Sequence, residues 1–229
     1  MVHKVSAYAT TGGAQPGQAG APVHERRAAG ALSPLCSAVL DLRAREGCVG
    51  CAPSQLAFKR GDLVVVSGLP GSGKSTLMQR AVAGSCIDSQ DTREDWSHRV
   101  PRLLPYPVYR PLVRLAHYAG LRRALRSGDS VVVHDCGTQA WVRRWLAREA
   151  ARRGTALHLI IVDVPARTAL DGQRERGRGV SGFAFARHRR AMGRLVAATE
   201  RGVLPRGCVS AVLLDRASAD ALARIGFTR

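Results

Sequence analysis

The stretch that most restricts this chain is Gly68-Leu69-Pro70-Gly71-Ser72-Gly73-Lys74-Ser75-Thr76, entered from the apolar run Leu63-Val64-Val65-Val66. Its spacing, G-x-x-x-x-G-K-S, gives each residue a physical task. Glycines at 68, 71 and 73 let the backbone curl until successive N–H groups point inward at phosphate oxygens, a geometry that side chains would obstruct. Lys74 is then placed to reach β- and γ-phosphates, and the Ser75 hydroxyl to ligate Mg²⁺. A helix predicted over residues 75–83 adds its positive N-terminal end to the same anion. With a β-branched run before it and a helical run after it, the segment 68–76 reads as a nucleotide-binding P-loop.

The rest of the pattern extends this loop into a fold. Strands are predicted over residues 62–67, 86–87, 130–134, 157–162 and 209–214, and helices over 75–83, 112–126, 138–153 and 217–225. Alternation of the two predicts an α/β domain over residues 56–229, with a parallel sheet covered by helices on both faces and its ligand site at the strands' C-terminal ends. Residues 1–31, rich in Gly, Ala, Gln and Pro without periodicity, read as a disordered leader or an overextended gene start. Within 1–55 one short helix is expected from Ser33, with Leu35, Val39, Leu40 and Leu42 on one side and Gly47 as its stop.

Composition bounds the partners without naming them. A formal net charge of +18 fits a polyanion such as nucleic acid. Lysine, however, occurs only at 4, 59 and 74, and an arginine surplus beside abundant Ala, Gly and Val is also what a GC-rich genome writes. No stretch approaches the roughly 20 apolar residues needed to cross a bilayer, and no signal-peptide core is present, so a cytoplasmic location is expected. The six cysteines, at 36, 48, 51, 86, 136 and 208, form no disulfide framework. Cys48 and Cys51 have the spacing of half a zinc site, but a second pair is missing.

Three segments beyond the P-loop point to what is done with the nucleotide. Asp88 and Asp91 leave the second predicted strand where an acceptor hydroxyl would lie beside the γ-phosphate, so either is a candidate base, and Arg93 is placed to pair with the acceptor. The run Val131-Val132-Val133-His134-Asp135 is an apolar strand ending in a carboxylate, the pattern of a Walker B aspartate that orients Mg²⁺. Arg174-Glu175-Arg176-Gly177-Arg178-Gly179 reads as a glycine-hinged lid whose guanidinium groups close over the triphosphate, or as a solvated arginine-rich helix. Arg110, Arg114, Arg122 and Arg126 recur with Tyr118 filling the gap, while Leu112, Leu115 and Ala119 are expected to face inward. That arginine stripe is either a track for a phosphodiester backbone or an ordinary solvated face.

Taken together, these segments make residues 61–215 resemble the small P-loop kinases, most closely the branch of polynucleotide 5′-hydroxyl kinases, zeta-toxin-like kinases and related small-molecule kinases. Such chains are also called AAA-family ATP-binding proteins. The resemblance implies a five-stranded parallel sheet in the order 2-3-1-4-5, with the Walker B strand beside the P-loop strand. It implies ATP and Mg²⁺ as cofactors, Lys74 and Ser75 on phosphate and metal, Asp91 as acceptor-side base, and Arg174, Arg176 and Arg178 as lid arginines. The chain departs from the polynucleotide kinases in having Gln90-Asp91 where paired acids are common, and the loop Asp135-Cys136-Gly137-Thr138 lacks a nearby asparagine. A hydroxyl acceptor, nucleic-acid 5′-OH or small molecule, is therefore expected without being named. The competing class is an AAA-type ATPase or nucleotide-dependent switch, which a strand inserted between the P-loop and Walker B strands would mark. A third class binds nucleotide without catalysis.

Overall fold

The computed structural model describes residues 38–43, 53–82, 85–87, 106–135, 140–177 and 179–228, the side chains of Ser85 and of residues 106–110 excepted. Eight strands are found among them: β1 Val39–Asp41, β2 Gln55–Lys59, β3 Leu63–Gly68, β4 Ser85–Ile87, β5 Val131–Asp135, β6 Leu157–Val162, β7 Ser210–Leu214 and β8 Arg224–Thr228. The described helices are α1 Lys74–Ala81, α2 Tyr106–Arg126, α3 Ala140–Arg152, α4 Ala166–Glu175, α5 Gly182–Glu200 and α6 Arg216–Ala221.

Six strands form one parallel sheet in the order β1-β7-β6-β3-β5-β4. Every residue of β3, β6 and β7 is buried, so both faces of the main sheet are covered. This explains why those strands read in sequence as continuous Val, Ile and Leu runs rather than as alternating ones. The order β4-β5-β3-β6-β7 within the sheet is the expected 2-3-1-4-5. In particular β3 pairs directly with β5, from Leu63 opposite Val131 to Ser67 opposite Asp135. Because all the strands are parallel, Gly68, Asp135, Val162 and Leu214 finish at one edge, and the functional loops gather there.

Several expectations are corrected. Where a helix was expected from Ser33 to Gly47, the described residues 39–41 are instead the edge strand β1. It gives β7 a partner it would otherwise lack: Ala211 N–H donates to Ala38 O at 2.8 Å, and Leu42 N–H to Leu213 O at 2.9 Å. The sheet thus takes in residues outside the predicted 56–229 span. The helix expected over 217–225 stops at Ala221. After it, β8 pairs with β2 in a separate two-stranded parallel sheet that puts Leu56, Phe58 and Ile225 into the core. Ile225-Gly226-Phe227-Thr228 favours this outcome, since glycine weakens a helix while β-branched and aromatic residues pack well on a pleated surface.

In α2 the expected phase is wrong. Leu112 is 51% and Leu115 67% exposed, Ala119 is exposed too, and the inward face is Val113, His117, Leu121 and Leu125. Arg114, Arg122 and Arg126 do face solvent, but Tyr118 leaves their row and packs on α3, its ring 5.0 Å from Trp141 and 6.4 Å from Trp145. The helices α4 and α5 were not anticipated. Among the described residues no helix is long and apolar enough to cross a membrane.

Candidate functional site

The loop after β3 is shaped by what it must pass. Gly71 has φ +88°, and a Cβ there would lie 2.0 Å from the Ala169 carbonyl of α4, while a Cβ on Gly172 would lie 2.4 Å from Gly71 O. Two glycines therefore face each other, and α4 rests directly on the loop, closer than any side chain permits. Gln173 fastens this contact: its Nε2 donates to Pro70 O at 3.0 Å, and its Oε1 accepts from Val180 N–H at 2.9 Å.

Helix α1 begins at Lys74 behind Gly73, which is left-handed at φ 91°. No side chain caps the helix and no acidic residue stands in its first turn. The helix therefore has no acidic residue of its own to offset the partial positive charge of its first-turn N–H groups, the electrostatic condition for anion binding at a helix N-terminus. Lys74 is 4% exposed, and its Nζ donates to two oxygens of the loop itself, Leu69 O at 2.6 Å and Ser72 Oγ at 3.4 Å. Ser75 is buried beside it. The Arg216 guanidinium lies against the loop from the other side, with Nη1 2.8 Å from where a Cβ on Gly73 would stand, while its Nε donates to Asp220 at 3.0 Å.

Asp135 ends β5 beside the loop's own strand. Its Oδ2 accepts from Ser67 Oγ at 3.3 Å and from Arg143 Nη1 at 2.5 Å, with side chains 4% exposed for Asp135 and 11% for Arg143. Both bonds fall on Oδ2. Arg143, in the first turn of α3, was missed in the sequence because one arginine among so many carries no signal. It fixes the carboxylate's orientation. Cys208 lies in the field of Arg143, but burial dominates and pushes the thiol up to about 11, so it stays protonated near neutrality.

The arginines expected in a lid divide. Arg176 reaches α1, its Nη2 donating to Thr76 Oγ1 at 3.0 Å. Arg174 is 75% exposed and paired with Asp171 at 2.7 Å, on the same helix rather than on the loop. Arg178, Asp88, Asp91 and Arg93, the last three expected on the acceptor side, and the Cys48–Cys51 pair lie outside the described residues, as does the side chain of Arg110. Among the described residues no group of three or more His, Cys, Asp or Glu is arranged to hold a metal. Gln173 and Arg216, like Arg143, are residues of this region that no sequence motif marked.

A family model described as an AAA domain matches residues 63–200, more than half of the chain and the whole span from β3 through α5. The chain belongs to the AAA domain family. Its P-loop domain implies nucleotide binding, typically with Mg²⁺. Among solved structures it is similar to the tunicamycin resistance protein of Deinococcus radiodurans, with 17% identity and a TM-score of 0.37 over 59% of this chain and 80% of that one. It is also similar to a putative kinase from Chloroflexus aurantiacus J-10-fl, with 14% identity and a TM-score of 0.45 over 67% of this chain and 87% of that one. Both likenesses are remote. No curated protein matches the chain.

Proposed function

We propose that this AAA domain protein is an ATP- and Mg²⁺-dependent phosphotransferase that moves the γ-phosphate of ATP to a hydroxyl, a small P-loop kinase of the polynucleotide kinase and zeta-toxin-like branch. The observation that carries this reading is the direct pairing of β3 with β5, Ser67 opposite Asp135, with no strand between the P-loop and the carboxylate-bearing strand. That order supports the kinase arrangement over the AAA-type motor considered above.

In this reading the first-turn N–H groups of α1 and the Lys74 ammonium bind the β- and γ-phosphates, Lys74 exchanging the neutral oxygens of Leu69 and Ser72 for charged ones. Ser75 and Asp135 offer hydroxyl and carboxylate oxygens, the hard donors Mg²⁺ takes, and Asp135 keeps Oδ1 clear of the two bonds on Oδ2. The metal, when bound, neutralises charge on the phosphoryl oxygens. Asp91, or Asp88, accepts the acceptor's proton as its oxygen attacks phosphorus in line. The bond from phosphorus to the β-γ bridging oxygen breaks, and ADP leaves. Arg176 neutralises the transferring group from the lid side, and Arg174 and Arg178 are its candidate companions. Closure of the segment after α4 excludes water, which favours transfer over hydrolysis.

The test is transfer of label from γ-labelled ATP with Mg²⁺, comparing no acceptor with 5′-hydroxyl RNA and DNA oligonucleotides, nucleosides, amino sugars and a cell extract. Label on one acceptor, lost in Lys74→Ala, supports the kinase and identifies its acceptor class. Phosphate released at the same rate with or without any acceptor overturns it in favour of an ATPase or switch.

A further inference from the structure

Helix α5 carries a second feature that the P-loop does not use. Phe185, His188, Met192 and Thr199 are its buried residues. At about 100° per residue, Phe183, Arg187, Arg190 and Arg194 fall within an arc of about 60° on the opposite side. With Ala186 these four line a surface groove of about 280 Å³. A polar stripe opposite a buried one is ordinary; two properties of this one are not. Phe183 is 82% exposed, a whole aromatic ring kept in water at the head of the row. Arg187, Arg189, Arg190 and Arg194 also pair with no carboxylate among the described residues, and the one acid of the helix, Glu200, is engaged by Arg43 at 2.8 Å.

We propose that this face of α5 is a docking strip for single-stranded nucleic acid, whether or not the P-loop transfers phosphate. Uncompensated like charges on one face repel one another, and a polyanion relieves that repulsion while releasing its own counterions. A helical rise of 1.5 Å per residue sets successive arginines of the strip about 4.5–6 Å apart along the axis, in a row about 16 Å long from Phe183 to Arg194. That suits a chain of phosphates rather than one compact anion. On the flank of the strip, about 60° round the helix from Arg190, Gly193 has open space over its Cα and leaves room for a sugar-phosphate backbone. The Phe183 ring supplies a stacking surface, and a ring standing out from a convex helix stacks on an unpaired base, not on one inside a duplex. A membrane surface fits less well. A helix lying in the interface needs an apolar face toward the lipid, and the apolar face of α5 is turned into the core. The strip starts beside the nucleotide site, since Gln173 ties Val180 to Pro70 three residues before Phe183.

The test is fluorescence anisotropy of labelled oligo(dT) and oligo(U) strands with the full chain over a range of salt concentrations. Circular dichroism melts check that each variant is folded. Arg187→Ala/Arg190→Ala/Arg194→Ala is expected to lower the slope of log K against log salt by about 2, at about 0.7 per phosphate for single strands, and to weaken binding at least tenfold at low salt. Phe183→Ala is expected to weaken binding about tenfold with the slope unchanged, and Phe183→Trp to restore it. An unchanged slope in the triple variant overturns the proposal, as does the same loss appearing instead in Arg114→Ala/Arg122→Ala/Arg126→Ala on α2. Binding to phosphatidylserine vesicles without binding to either strand also overturns it and assigns the strip to a membrane surface.

Discussion

The two edges of the main sheet both bury polar groups and use them in opposite ways. At the N-terminal edge Asp62, His158 and Ser210 are closed upon one another. Asp62 Oδ2 accepts from Lys59 N–H at 3.0 Å and from His158 Nε2 at 3.0 Å, and its Oδ1 accepts from Ala156 N–H at 2.9 Å. His158 completes the chain with its Nδ1 2.8 Å from Ser210 Oγ. These are the residue types of a hydrolytic triad, but Asp62 is 3%, His158 0% and Ser210 2% exposed, so no substrate reaches them. Nearby, Arg153 Nη2 ties the carbonyls of Gly61, Gly128 and Asp129 together. At the C-terminal edge the donors of α1 begin uncapped, Lys74 leans on neutral oxygens of its own loop, and glycines replace side chains where α4 meets that loop. A closed network stabilises a fold, whereas an open one is available to bind phosphate. Substitutions at the two edges should therefore separate stability from chemistry.

The largest expected effect is at the open edge. Lys74→Ala should lower phosphoryl transfer by about 10³-fold or more while leaving the urea midpoint close to wild type, because the ammonium's main role is toward charge that develops on the ligand. Retained turnover would remove the P-loop from the mechanism. Arg176→Ala should reduce turnover by about 10²-fold with little change in stability, since its bond to Thr76 is at an exposed position. Arg143 is where the comparison should break. It stands at the functional edge, yet Arg143→Met leaves the Asp135 carboxylate buried without its cation, at a cost of about 3–5 kcal/mol by urea unfolding. The double change Arg143→Met/Asp135→Asn should recover most of that stability and none of the activity. If the single variant unfolds no more easily than wild type, Asp135 is better solvated than its burial indicates.

The same contrast governs what could be read from the sequence. The P-loop was legible because its task leaves no freedom: the spacing of Gly68, Gly71, Gly73, Lys74 and Ser75 is set by phosphate geometry. The buried strands β3, β5, β6 and β7 were legible as mainly apolar runs, and Asp135 as the charge that ends one. β1 was not, because Val39, Leu40 and Leu42 fit either period and its partner β7 is distant in sequence. The phase of α2 was misread because arginines recurring every four residues outweighed a quieter recurrence, Val113, His117, Leu121 and Leu125, that includes a histidine. Arg143 and Gln173 act through positions that only the packing of α3 and α4 creates, and a chain this rich in arginine hides the first of them. The residues expected on the acceptor side, Asp88, Asp91 and Arg93, lie outside the described residues.

The smaller effects belong to the closed edge and test whether it is only structural. His158→Leu removes one of the two partners of Asp62 Oδ2 and the imidazole bonded to Ser210 Oγ, so it should cost about 1–3 kcal/mol of stability while the folded fraction keeps wild-type turnover and KM for ATP. A change in KM would mean that the two edges communicate through β6. The same histidine should also give the fold a pH dependence. Burial holds the His158 imidazole below its ordinary value of 6.5, outweighing the attraction of the Asp62 carboxylate. Asp62 therefore accepts the Nε2 proton of a neutral ring, and Nδ1 accepts from the Ser210 hydroxyl. Between the folded and unfolded values the unfolded chain binds the extra proton, so the free energy of unfolding rises with pH. The contribution is complete above about 6.5 and is lost as pH falls toward the folded value, at no more than about 1.4 kcal/mol per pH unit. Urea midpoints compared across pH 5 to 8 should show that slope in the wild type and its flattening in His158→Leu. A slope of opposite sign, with stability falling as pH rises through neutrality, would mean that the ring is held protonated by Asp62 and that the closed edge contains a buried ion pair.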